Sequence, residues 1–164
     1  MLKIIKVDLH QPQHARDLLF LLNSYACDPM GGGEPLSAYT QQNLIAALQA
    51  RSTVHSFLAY QNEKPAGFAI CIEGFSTFAC KPLLNIHDFA VHPDFRGLGI
   101  SKQLMGFISN FAQAQAYCKM TLEVLEGNTP ARTLYLDQGF VTYELDPSIG
   151  GAIMMQKKFA SAQC

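Results

Sequence analysis

Val91-His92-Pro93-Asp94-Phe95-Arg96-Gly97-Leu98-Gly99-Ile100-Ser101 is the stretch on which the reading of this chain turns. Ahead of it, Leu83 to Val91 has the length and composition of a strand. Behind it, Ile100, Leu104, Phe107, Ile108 and Phe111 recur at helical spacing. A strand therefore leaves through a glycine-bearing turn into a helix. The first turn of a helix carries backbone N–H groups with no partner inside the helix, and the aligned peptide dipoles make that end positive. Gly97 and Gly99 allow the backbone to come close to an anion, and Arg96 adds a cationic fork. A pyrophosphate suits such a turn. The Gly-Lys-Ser/Thr ending of a Walker loop is missing, and the dinucleotide fingerprint would need a third glycine and a strand at the chain's start.

Reading outward from this turn gives the rest of the domain. Toward the N-terminus, Ala66 to Glu73 and Thr53 to Tyr60 predict a hairpin turned at Gln61–Pro65. Ser37 caps a helix with Leu44, Ile45 and Leu48 on its buried face, and Pro12 opens another with Leu18, Leu19, Leu21, Leu22 and Tyr25. Between those two helices, Asp28 to Pro35 is too rich in glycine and proline for a regular element. Leu2 to Val7 alternates as a first strand. Toward the C-terminus, Met120 to Leu125 predicts a strand. Thr129 and Pro130 predict a helix start, with Thr129 as its N-cap, and Gly139 its end. Phe140 to Tyr143 and Ile153 to Phe159 predict two last strands. The expected fold is one α/β domain over residues 1–164, with a mixed, mostly antiparallel sheet of about seven strands and about four helices.

Composition narrows the function. A net charge of -1 with 15% charged residues gives no basic footprint for nucleic acid. No apolar run is long enough to span a membrane, and Met1 to His10 lacks the apolar core of a signal peptide. The five cysteines have neither CxxC spacing nor even number, so they predict reduced thiols in a cytoplasmic protein and no metal site.

Arg96-Gly97-Leu98-Gly99-Ile100-Ser101 resembles the Arg/Gln-x-x-Gly-x-Gly/Ala pyrophosphate motif of the GNAT superfamily of acyl-CoA N-acyltransferases. Asp88-Phe89-Ala90-Val91 followed by His92-Pro93 is similar to that family's fourth strand. Leu122-Glu123-Val124, Asn128, Ala131, Leu134-Tyr135 and Gly139-Phe140 are similar to the second half of its acyl-CoA site. Phe75-Ser76-Thr77-Phe78 and His87-Asp88-Phe89 further resemble stretches of the diamine and thialysine acetyltransferases, with His87 where those enzymes carry Glu.

The resemblance implies a sheet splayed between strands four and five, with the arm of acetyl-CoA filling the gap. It implies backbone contacts from Phe89, Ala90 and Val91, an amide of Ala90 or Val91 polarising the thioester carbonyl, and a pyrophosphate held by Arg96, Gly97, Leu98, Gly99, Ile100 and Ser101 with help from Lys102. Asn128 would bond the cofactor, and Tyr135 would protonate the departing thiolate. An attacking amine must lose a proton, since alkylamines are mostly protonated at neutral pH. His87 is the first choice of base, against a hydrogen-bonded core histidine, and Asp88 serves if a bulge turns it round. Glu123 is the reserve base. Asp28 and Glu34 are candidates to attract a cationic amine, and Phe75 and Phe78 to wall its pocket. The implied activity is acetyl transfer from acetyl-CoA to a primary amine of a small molecule, without a metal, and the resemblance implies a homodimer. A protein amine as acceptor, or a non-catalytic acyl-CoA-binding domain, are the alternatives.

Overall fold

The computed structural model describes residues 1–159. Its elements run β1 (Leu2–Lys6), α1 (Pro12–Ala26), α2 (Ala38–Gln49), β2 (Val54–Gln61), β3 (Lys64–Ser76), β4 (Lys81–Val91), a single 3₁₀ turn (Pro93–Phe95), α3 (Ile100–Ala114), β5 (Met120–Leu122) and α4 (Thr129–Asp137). The sheet order is β1-β2-β3-β4-β5. The first four strands are antiparallel neighbours, and β5 lies parallel to β4. Among the described residues no helix is long and apolar enough to cross a membrane.

Local chemistry accounts for the elements. Ser37 accepts a hydrogen bond from the Thr40 N–H and so caps α2. Pro12 fits the first turn of α1, where its missing N–H costs nothing. The β2–β3 turn closes on two residues, Asn62 and Glu63, both at positive φ (50° and 65°), which matches a tight hairpin. The ladder therefore takes in Lys64 and Pro65, and the register shift at Ala59/Tyr60 lies against Pro65, which has no N–H to give.

Strands β2 and β3 are buried on both faces, and alternation deals their side chains to two cores. Leu58, Phe68 and Ile70 face Leu18, Leu21 and Leu22 of α1. Phe57, Ala69, Cys71, Leu84 and Ile86 face Leu104, Met105 and Ile108 of α3 and Tyr135 of α4. Helices α1 and α2 thus cover one face of the sheet, and α3 and α4 the other.

Two expectations are corrected. The sheet holds five strands among the described residues where seven were expected. Residues 140–143 and 153–159 form no strand, and only the isolated bridge Glu144↔Gly151 links the two limbs of this segment. Phe140 packs on the core, but Val141, Leu145, Ile153 and Met155 are each at least 80% exposed. Strand propensity without a sheet edge or an apolar face to cover does not hold a two-stranded hairpin. The other correction is small: Asn128, not Thr129, caps α4, accepting from the Ala131 N–H at 3.3 Å.

Candidate active site

The splay between β4 and β5 is present and has a simple cause. The two strands pair only at Leu84↔Met120, Asn85↔Thr121 and Ile86↔Leu122. There β5 ends, while β4 runs on to Val91. From His87 onward that edge of β4 has no neighbouring strand among the described residues. The His92 N–H donates to Ala66 O on β3 at 2.8 Å. Alternation then turns Ala90 toward β3, opposite Phe68, and turns Phe89 and Val91 outward to the open edge. The backbone polar groups free for a ligand are therefore the N–H and C=O of Phe89 and the N–H of Val91, whose carbonyl oxygen accepts from Arg96; Ala90 is not among them.

A bulge sits where the edge opens. On β3, Ile70 pairs with Asp88 and Cys71 pairs with Ile86, so His87 is an extra residue. The strand's phase slips by one. Ile86 and Phe89 both pack toward α3, whereas Ala90 packs toward α1. Asp88 is carried with Ala90 onto the α1 face, half-buried, and His87 is left exposed.

Past Val91 the chain makes the 3₁₀ turn, then passes Gly97 (φ 79°) and Gly99 (φ 72°) into α3. No side chain caps α3. Among the described residues the backbone N–H groups from Gly97 to Lys102 have no hydrogen-bond partner. A Cβ built on Gly97 or Gly99 would meet nothing within 4 Å, so this cradle is open. Arg96 closes one side: its Nε donates to Val91 O at 3.2 Å and its Nη2 to Asp28 Oδ2 at 2.7 Å. An open row of donors at a helix start, beside a guanidinium and a free strand edge, fits the pyrophosphate and amide-bearing arm of an acyl-CoA.

Three titratable groups gather at the edge. Burial raises the pKa of the Asp88 carboxyl above the ordinary aspartate value, and nearby His87 partly offsets this. Burial, then the Asp88 charge, then Asp28 raise the phenol of Tyr25 on α1. Burial and then Tyr25 push the Tyr135 phenol up to about 12, so it keeps its proton at neutral pH. Tyr135 is held on α4 by edge-to-face contact with Phe89 (6.3 Å) and Phe140 (5.9 Å). No protein group among the described residues bonds its hydroxyl, which leaves a donor beside the open edge of β4. Asp88, Tyr25 and Tyr135 thus combine a carboxylate of raised basicity with two phenols that stay neutral.

The other expected residues are more scattered. Asp28 is engaged by Arg96, with the Arg96 hydrogen bond first among the causes that hold its carboxyl below the ordinary range. Glu34 is exposed, and Phe75 and Phe78 are 61% and 99% exposed, so neither aromatic walls a pocket. Glu123 lies beyond the end of β5, exposed, 3.4 Å from Asn85 Nδ2. The Asn128 side chain is occupied as a cap. Tyr25 escaped the sequence reading because it sits at helical spacing among leucines. Its signal was a hydroxyl on that apolar face, six residues before a triple glycine.

Residues 18–140 match the model of the Acetyltransferase (GNAT) family. The chain belongs to this family. It is 25% identical to the thialysine N-epsilon-acetyltransferase of Caenorhabditis elegans, over 91% of this chain and 92% of that one. A shorter match, 36% identical over 51% of this chain and 42% of the other, is to the streptothricin acetyltransferase of Streptomyces lavendulae. In fold, it is similar to a ribosomal-protein-alanine N-acetyltransferase from Brucella melitensis biovar Abortus 2308, with TM-score 0.75, 18% identity and coverage of 96% and 100%. It is likewise similar to the aminoglycoside acetyltransferase meta-AAC0020 from an uncultured soil metagenomic sample, with TM-score 0.77, 16% identity and 96% coverage of each. The GNAT assignment makes the chain an acyl-CoA-dependent N-acetyltransferase.

Proposed function

We propose that this acetyltransferase moves an acetyl group from acetyl-CoA to the primary amine of a small molecule, with Asp88 as base and Tyr135 as acid. The observation that carries this reading is the open edge of β4, which runs into partnerless N–H groups and has Asp88 and Tyr135 alongside. Acetyl-CoA supplies an activated thioester. The amides of Phe89 and Val91 hold the pantetheine arm, and an amide there polarises the carbonyl as it gains negative charge. Arg96 and the backbone from Gly97 to Lys102 hold the pyrophosphate. Asp88 takes a proton from the ammonium form of the acceptor, and its raised pKa makes it a stronger base than an ordinary aspartate. The freed amine attacks the thioester carbon; as the carbon–sulfur bond breaks, Tyr135 donates its proton to the thiolate, and the second proton lost by the nitrogen restores the Tyr135 hydroxyl through solvent. His87, exposed and beside Asp88, tunes the base instead of serving as base itself.

A thialysine acetyltransferase matched along nearly its whole length supports a small cationic amine as acceptor. The test is thiol release from acetyl-CoA with thialysine, lysine, diamines, amino acids and aminoglycosides in turn. Turnover with one class of small amine is expected. Firm acetyl-CoA binding with no thiol release from any of them, but acetylation of protein amines, would overturn the small-molecule reading.

A further inference from the structure

The strongest feature outside the acid–base pair is the contact between Arg96 and a residue far away in sequence. Arg96 stands where the free edge of β4 meets the glycine turn, 54% exposed, with its Nε anchored on Val91 O. Its second anchor is Asp28, at the end of α1. Asp28 is itself the hub of the α1–α2 loop. Its Oδ1 accepts from the Met30 N–H at 2.9 Å, and its backbone oxygen accepts from the N–H groups of Gly31 at 2.8 Å and Gly33 at 3.1 Å. The Glu34 N–H closes the loop onto Ala26 O at 3.1 Å. The three glycines serve this closure. A Cβ on Gly31 would fall 2.0 Å from Tyr25 O, and Gly32 and Gly33 lie at φ 125° and 82°. The loop is a fitted mount with little freedom, and Asp28 offers one carboxylate oxygen outward from it.

Taking pyrophosphate binding at the turn as proposed above, we propose that Asp28 is a positioning residue for Arg96. A carboxylate beside the cation that binds a pyrophosphate would lower affinity by charge alone. Here two fixed acceptors, Val91 O and Asp28 Oδ2, set the plane of the guanidinium before the ligand arrives. Among the described residues its Nη1 bonds no protein group, which leaves that end of the fork for the phosphates. Asp28 thus acts through Arg96 and does not meet the amine, to which the pair presents no net charge.

The test is calorimetric binding of CoA to the full chain in four forms: unaltered, Asp28→Asn, Arg96→Ala and both together. Thermal unfolding of each form checks that it is folded. Asp28→Asn is expected to weaken CoA about tenfold, the effect of losing one charge-assisted hydrogen bond. In the Arg96→Ala background the same change is expected to add less than about twofold. CoA binding by Asp28→Asn as tightly as by the unaltered chain, or more tightly, would overturn the inference. So would an equal loss in the Arg96→Ala background, which would mean that the loop, and not Arg96, carries the effect. Failure of the unaltered chain to bind CoA would bring down the proposed function as well; the other two outcomes leave that function standing.

Discussion

The two halves of the site are built from different materials. The half around Gly97 to Lys102 is made of backbone: open N–H groups at a helix start, a free strand edge, and glycines at positive φ. The other half is made of side chains whose properties depend on their neighbours: Asp88, Tyr25 and Asp28 on the α1 side and Tyr135 on α4. A backbone site depends on the path of the chain and tolerates changes of exposed side chains. A side-chain site fails when one group loses its chemistry. Substitutions should therefore sort by half.

The largest effect belongs to the side-chain half. Asp88→Asn should lower kcat by about 10²- to 10⁴-fold, the usual contribution of a general base. The same change should raise the melting temperature at neutral pH. Because the folded pKa of Asp88 is raised, its ionisation costs the folded state stability as pH climbs through that pKa. The gain should vanish at pH values below the ordinary carboxylate range, where the unaltered residue is neutral in both states. A mutant both inactive and less stable at neutral pH would contradict a desolvated carboxylate. Tyr135→Phe should follow, with kcat down about 10²-fold and KM for acetyl-CoA little changed, read from steady-state thiol release. The backbone half should show its character in a contrast. Gly99→Val forces a branched residue into the left-handed region, at a cost of about 1–2 kcal/mol, and should raise KM for acetyl-CoA about tenfold. Leu98→Ala, at a side chain 56% exposed, should change KM by less than about twofold. Equal effects at the two positions would break the comparison.

The same division explains what the sequence made readable. The glycine turn, its strand and its helix were legible because glycine spacing and apolar periodicity are local properties of the chain. The splay was expected only from the resemblance. The fact that produces it, β5 stopping at Leu122 while β4 continues, depends on where two strands part company. The bulge could be named as the condition for using Asp88, but its place at His87 is a matter of register against β3. Arg96 and Asp28 were each visible as a charge. Their pairing spans 68 positions and no local pattern reveals it. Residues 140–143 and 153–159 misled for the opposite reason: they carry strand-forming residues but find no edge to join.

The central claim is that acyl transfer depends on Asp88 as a base of raised pKa with His87 beside it. The most direct test is the pH dependence of kcat for thiol release from acetyl-CoA, in the unaltered chain and in His87→Ala. The unaltered enzyme should lose activity toward acid with a midpoint above the ordinary aspartate value of 3.8. Removing His87 takes away the group that lowers the Asp88 pKa, so the midpoint should move to higher pH while activity persists above it. An acid limb that disappears in His87→Ala, together with a collapse of kcat at every pH, would make His87 the base and contradict the account.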